Sequence, residues 1–187
     1  MNQGLIPNRY AKALYEYAAE QGCADELRAL MQALSEAFAA EPSLSRAMGN
    51  PFVSRADKEQ LLYTASGVSQ GDSDGVAGGV FKRFVALLGD NNRLALAREV
   101  ALAYQKIYRD QHNIRLVKVT TAAPMGEAEE TRLKKLIQRH LGDATMEYTS
   151  AVDPDLIGGF TVSIDNEKLD ASVANELKQL RLKLLSK

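Results

Sequence analysis

The sequence is short of the residues that most often carry chemistry. It has a single cysteine, Cys23, so no disulfide can form within the chain, and a reducing compartment is expected. Its two histidines, His112 and His140, lie far apart with no cysteine or second histidine nearby, whereas a zinc site needs about four convergent ligands. No Ser-His or Cys-His arrangement indicates a nucleophile with its base. The sequence therefore predicts a protein that is not an enzyme and has no cofactor or metal.

An excess of one charge and long apolar runs are also missing. The 23 basic and 24 acidic residues give a formal net charge of −1. Lys134, Lys135 and Arg139 form a short basic cluster, but acidic residues are interspersed and stacking aromatics are lacking, which disfavours nucleic acid as a partner. No apolar run reaches the roughly 18 residues that a membrane span needs. We therefore expect a soluble chain that reaches a membrane only through a partner.

The first 110 residues have the composition and the spacing of helices. Ala, Leu, Glu, Lys and Arg are frequent, and Tyr10, Leu14 and Tyr17 fall at i, i+4 and i+7 on one face of a first helix. A polar, glycine-rich loop is predicted over residues 66–75, before a fifth helix. Short connections favour antiparallel packing, so residues 1–110 are predicted to form an N-terminal six-helix bundle. The other helices are predicted over 24–40, 42–49, 55–66 with Ser54 as its cap, and from Leu94 onward.

The fifth helix is apolar over more of its circumference than a bundle requires. Its apolar side chains span an arc of roughly 160°, whereas about 100° is enough to bury a helix against its neighbours. The excess is either additional core or one wall of a groove for a partner helix, with the first helix as the other wall. Tyrosines suit such a wall, because the ring can be buried while the hydroxyl stays in water. The arc consists of Val80, Phe81, Phe84, Val85, Leu87 and Leu88.

The pattern changes to alternating strands near His112. Strands are predicted over 114–121 and 144–152 with a helix between them, and a third strand follows Gly158 and Gly159. The two glycines are interpreted as a backbone pivot, since paired glycines before a strand indicate unusual backbone angles or a close approach of another segment. Asp170 is predicted to cap the last helix. Residues 111–187 are thus predicted to form a small C-terminal α/β domain, which makes the whole chain α+β.

Four motifs, in order along nearly the whole chain, carry a resemblance to a known family. They are Arg9-Tyr-Ala-Lys-Ala-Leu14, Asn92-Arg-Leu94, Val117-Lys-Val-Thr-Thr-Ala-Ala-Pro124, and Asp155-Leu-Ile-Gly-Gly-Phe160 followed by Leu169-Asp-Ala-Ser-Val173. In these motifs the chain resembles the delta subunit of bacterial F-type ATP synthase, a relative of the mitochondrial oligomycin-sensitivity-conferring protein. The resemblance implies a non-catalytic stator subunit that resists rotor torque. It also implies a peripheral place at the cytoplasmic face of the bacterial cell membrane.

The resemblance further implies two partners. The bundle would grip the N-terminal helix of an alpha subunit between its first and fifth helices, and the C-terminal domain would meet the C-terminal ends of the b subunits. The family often has Asn where this chain has Arg83. The alternatives to a stator subunit are another helical adaptor with an α/β interaction domain and a small α/β enzyme. Carried onto this sequence, the groove comprises Tyr10, Ala13, Leu14, Phe84 and Leu87, to which the apolar stripes add Tyr17 and Val80.

Overall fold

A computed structural model describes residues 4–68, 75–165 and 167–185 of the protein. Over these residues the chain forms eight α-helices and a four-stranded mixed sheet, so the expected α+β class is confirmed. The chain divides into two compact units, Met1–Tyr108 and Arg109–Lys187. The helices are α1 (Leu5–Glu20), α2 (Ala24–Ala40), α3 (Pro42–Gly49), α4 (Arg55–Ser66), α5 (Gly75–Asp90), α6 (Ala97–Gln111), α7 (Glu127–Leu141) and α8 (Val173–Leu185).

The helices of the first unit begin and end where local chemistry places them. The Ser54 hydroxyl accepts a hydrogen bond from the Asp57 N–H, which confirms the predicted cap of α4, and Gly67 ends that helix at a φ of 77°. α1 begins at Leu5, two residues before Pro7, so Pro7 lies in its first turn, where its missing N–H costs nothing. Most of the loop predicted over 66–75, residues 69–74, lies outside the described residues.

Apolar side chains from all of these helices form the core of the first unit. The Tyr104 ring is fully buried among them, and its hydroxyl donates a hydrogen bond of 3.1 Å to the Ala24 carbonyl at the start of α2. This burial raises the pKa of Tyr104 well above its usual range, because the phenolate would lose its hydration. The largest completely buried side chains here are Tyr104, Phe81, Leu27, Met31, Leu34, Leu62, Leu88, Val85 and Val100.

The second unit contains the strands β1 (Ile114–Thr121), β2 (Thr145–Val152), β3 (Gly159–Ile164) and β4 (Glu167–Ser172). They form a sheet in the order β2-β1-β3-β4. β1 pairs in parallel with β2, and α7 lies between them in sequence, because a parallel pair needs a crossover connection. The other two pairings are antiparallel. Val117, Val119 and Val162 of the sheet meet Ile137 of α7 in a small core.

The fourth strand was not predicted from the sequence, and it corrects the assignment of Asp170. Asp170 lies within β4, opposite Thr161 of β3, so it does not cap the last helix. That role belongs to Ser172, whose hydroxyl accepts the Asn175 N–H at 3.2 Å. The Asp170 carboxylate accepts the hydroxyl and the N–H of Ser172 at 2.6 and 3.2 Å, and these bonds lower the pKa of Asp170. Asp170 therefore positions the cap.

Replacing Ser172 by Ala should lower the free energy of unfolding of the second unit by about 1 kcal/mol, the usual cost of losing a helix cap. The first turn of α8 should then exchange its amide hydrogens faster, beginning with Asn175. Hydrogen exchange followed by NMR measures this effect. Ser150→Ala is the control, since Ser150 is exposed on β2 and caps no helix. Equal exchange at Asn175 in both variants would show that another group caps α8.

Candidate functional site

All seven residues predicted for the groove line a single cavity between α1 and α5. The cavity has a volume of about 180 Å³, and Arg83 joins these seven residues in its lining. Along α5 the residues recur at intervals of three and four, which places them on one face of the helix. The predicted residues in its lining are Tyr10, Ala13, Leu14, Tyr17, Val80, Phe84 and Leu87.

The lining residues divide into a floor and walls. Leu14, Val80 and Phe84 are each buried to more than nine-tenths, so they form the floor and at the same time belong to the core. Leu87 is 49% exposed and Ala13 is also exposed, so these two stand open to a partner. The apolar arc of α5 is therefore both additional core and groove wall. Burial at each position decides which role its side chain has.

A second cavity of about 430 Å³ extends the first one toward the start of α1. Tyr10, Ala13 and Leu87 line both cavities, and Ile6, Arg9 and Arg93 complete the second. From Ile6 to Tyr17 the groove follows twelve residues of α1, which span about 16 Å at the rise of an α-helix. We call this continuous surface the α1–α5 groove. Its length corresponds to three turns of a bound helix.

Two arginines of the groove have defined partners. An Arg83 guanidinium nitrogen donates to the Tyr17 hydroxyl at 2.7 Å, and an Arg93 nitrogen donates to the Tyr10 hydroxyl at 2.9 Å. The Arg93 guanidinium also lies 5.7 Å from the centre of the Tyr10 ring, within the range of a cation–π contact. Neither arginine was assigned to the groove from the sequence. The spacing of α5 did hold a signal for Arg83, which stands three residues after Val80 and four before Leu87.

The second unit carries an open apolar surface where α7 leaves part of the sheet uncovered. A cavity of about 560 Å³ lies there, and two leucines at its edge, Leu136 and Leu169, are 61% and 64% exposed. We call it the α7–sheet surface. Its apolar lining consists of Leu133, Leu136, Ile137, Phe160, Val162, Ile164 and Leu169.

The two predicted pivot glycines lie at the start of β3, beside the first residue of α8. Gly159 has a φ of 75°, and a Cβ built on it would overlap the carbonyl oxygen of Ala171 in β4. The Gly158 carbonyl accepts the Val173 N–H at 3.0 Å, which links the start of β3 to the first residue of α8. Gly159 is thus required by its backbone angle and by the close approach of a neighbouring strand.

Metal sites and membrane spans were two further kinds of feature to consider among the described residues. Among them, no group of three His, Cys, Asp or Glu side chains is arranged to hold a metal ion. No described helix combines the length and apolar character needed to cross a bilayer. Asp165, one of the carboxylates near the end of the chain, accepts the Leu116 N–H at 3.1 Å and pairs with Arg115, so it has a structural role.

Comparison with known proteins identifies the family. The family model described as ATP synthase delta (OSCP) subunit matches residues 6–184. The chain belongs to this family. The ATP synthase subunit delta of Bacteroides thetaiotaomicron is 35% identical to it over 187 residues, which cover 100% of this chain and 97% of that one. The subunit delta of Gloeobacter violaceus is 32% identical, over 96% and 94% of the two chains. The resemblance found in the sequence motifs is therefore confirmed.

The fold is shared as well. A chain in the structure of the Toxoplasma gondii mitochondrial ATP synthase hexamer superposes with a TM-score of 0.73 and covers 96% of this chain and 97% of that one, at 19% sequence identity. As a member of the ATP synthase delta (OSCP) family, the protein is a non-catalytic stator subunit. This confirms the expected function and the prediction that the chain is not an enzyme.

Proposed function

We propose that the protein joins the catalytic head of a bacterial F-type ATP synthase to its peripheral stalk, with one partner on each compact unit. The head must be held still while the rotor turns within it, so a subunit in this place needs slowly dissociating interfaces and no reactive group. Family membership supports the stator role. The two apolar surfaces support the division of that role between the units.

The α1–α5 groove is the site we assign to the N-terminal helix of an alpha subunit. The observation that carries this assignment is an apolar floor between two helices, bounded by the exposed Leu87 and Ala13 and by two half-buried tyrosines. An amphipathic helix inserts side chains at i, i+3 or i+4, and i+7 into such a groove. Three turns of helix, the length the groove can hold, provide such a set of anchors.

The α7–sheet surface is the site we assign to the C-terminal ends of the b subunits. In the free protein Leu136 and Leu169 expose apolar surface to water at the rim of a cavity. A partner that covered this surface would gain the free energy of its burial. Through these two partners the protein would lie at the cytoplasmic face of the membrane. It would touch the membrane only by way of the complex.

The assignment as a whole is tested by co-purification. A tagged copy of the full chain, expressed in its own cells, should bring down both alpha and b subunits from detergent-solubilised membranes. Retention of alpha with loss of b, or the reverse, would remove one of the two assigned surfaces. Recovery of neither would overturn the proposal.

Replacing Leu169 by Asp should weaken binding to the soluble part of the b subunits by about thirtyfold or more, since an apolar anchor in an interface contributes roughly 2 kcal/mol. Leu169 lies on an edge strand with its side chain in solvent, so the change should leave the fold intact. The matched control is Val152→Asp, because Val152 is 51% exposed in the same unit but does not line the α7–sheet surface. Surface plasmon resonance gives both affinities. Equal loss in the two variants would count against a specific site.

A further inference from the structure

The α1–α5 groove is positively charged although the whole chain is nearly neutral. Three of its lining residues are arginines, Arg9, Arg83 and Arg93, and none is acidic. Within the part of the chain that the structure describes, no carboxylate forms an ion pair with any of the three. Two carboxylates of this unit pair with other residues, Glu16 with Lys12 and Asp90 with Arg55. Among the described residues of the unit, the charge of the groove is therefore not neutralised by an ion pair.

Two of the arginines are held at fixed places. A guanidinium group has five N–H donors. Arg83 uses one of them to bind the Tyr17 hydroxyl, and Arg93 uses one to bind the Tyr10 hydroxyl. The remaining donors of each exposed group are left for other acceptors. A tethered guanidinium loses less conformational entropy when it binds a carboxylate, and its planar fork fits the two oxygens. The tyrosines thus preorganise two anion-binding groups along the groove.

The spacing of these groups follows from α1. Tyr10 and Tyr17 are seven residues apart, which is two turns of helix and about 10.5 Å along its axis. Arg93 and Arg83 are hydrogen-bonded to the hydroxyls of these two tyrosines, so each guanidinium group belongs to a different turn of α1 along the groove. A partner helix lying along α1 places side chains at the same interval when they are seven positions apart. The geometry of the groove therefore selects a charge pattern as well as an apolar stripe.

We propose that the helix bound in the α1–α5 groove carries two carboxylates about seven residues apart beside its apolar face, one pairing with Arg83 and the other with Arg93. This inference rests on the proposed function of the groove. The arginines fix the register of the bound helix and increase its rate of association. The apolar floor provides most of the affinity.

The test is a calorimetric titration of the full chain with two peptides. The first is the N-terminal 25 or so residues of the alpha subunit encoded with this protein, and the second has its Asp and Glu replaced by Asn and Gln. We expect the neutralised peptide to bind about tenfold more weakly at low salt. Arg83→Gln and Arg93→Gln should each weaken binding of the acidic peptide about threefold, and hardly affect the neutral one. Arg98→Gln, which removes an arginine outside the groove, is the control.

Salt provides a second readout. The Debye length falls from about 10 Å at 0.1 M salt to about 3 Å at 1 M, so added salt should weaken the wild-type complex but not that of the Arg83→Gln, Arg93→Gln double variant. Wild-type affinity and wild-type salt dependence in the double variant would overturn the inference. Equal affinity for both peptides would overturn it too.

A neutral change at Leu87 separates this inference from the function on which it rests. Leu87→Asn removes an apolar anchor without altering the charge of the groove. If this variant loses binding while the arginine variants do not, the groove assignment is supported and the proposed charge pattern is wrong. If the acidic peptide fails to bind the wild-type chain, or binds Leu87→Asn as tightly as the wild type, both are overturned.

Discussion

Leu87→Asn is expected to weaken the binding of an alpha-subunit N-terminal peptide by about thirtyfold or more, with no loss of fold. Leu87 lines both cavities of the α1–α5 groove and is 49% exposed in the free protein. A partner helix would cover it, and the buried amide of Asn would lack a partner in that apolar setting. A central apolar anchor contributes roughly 2 kcal/mol or more to an interface, which corresponds to this change in affinity.

The control for this variant is Leu102→Asn. Leu102 is 48% exposed on α6 of the same unit, and it does not line the groove. Both variants should unfold within a few degrees of the wild type, as followed by circular dichroism. Calorimetry should then show normal binding for Leu102→Asn. If both variants bind the peptide normally, the helix binds elsewhere on the protein.

Phe84 is a poorer place for this test, although it lines the same groove. The structure shows Phe84 only 4% exposed, with its ring centre 6.3 Å from that of Phe81 in the core. An Asp at this position would bury a carboxylate without a partner, and the unit would lose much of its stability. Loss of binding would then say nothing about the groove.

The residues predicted for the groove line one cavity because helical periodicity, on which they were grouped, is a local property. Residues at i, i+4 and i+7 share a face in any helix, so Tyr10, Leu14 and Tyr17 could be grouped without a structure. Spacing alone cannot tell which helices become neighbours; the tyrosine face of the first helix suggested it as the second wall, and the family resemblance implied the same pairing. It also cannot tell floor from wall, since Phe84 and Leu87 are equally apolar and differ only in burial.

The sequence fails at β4 and at the arginines for different reasons. β4 reads Glu167-Lys-Leu-Asp-Ala-Ser172, a charged edge strand with no alternating apolar pattern. Its backbone hydrogen bonds to β3 hold it in place, and these cannot be recognised from the types of its side chains. Asp170 was therefore assigned to the wrong element. Arg83 and Arg93 acquire their role from tyrosines 66 and 83 positions away in the chain, which local patterns cannot reveal.

Gly159→Ala is expected to destabilise the second unit by about 3 kcal/mol or more. A left-handed backbone conformation costs a residue with a side chain roughly 1–2 kcal/mol, and the new methyl group would also overlap the Ala171 carbonyl oxygen. Relief of that overlap requires β3 and β4 to separate at the pair formed by Phe160 and Ala171. The core of this unit is small, so such a loss is a large part of its stability.

Gly67→Ala isolates the part of this effect that comes from the overlap. Gly67 has a φ of 77°, close to the 75° of Gly159, but its added Cβ would meet no atom within 4 Å. This variant should therefore lose only the 1–2 kcal/mol of backbone strain. Chemical denaturation, followed by NMR signals from each unit, gives the two values, and hydrogen exchange at Val162 and Leu169 should rise in Gly159→Ala alone. Equal losses of unfolding free energy in the two variants would mean that β4 can shift at Ala171 at little cost. Gly159 would then be needed for its backbone angle only.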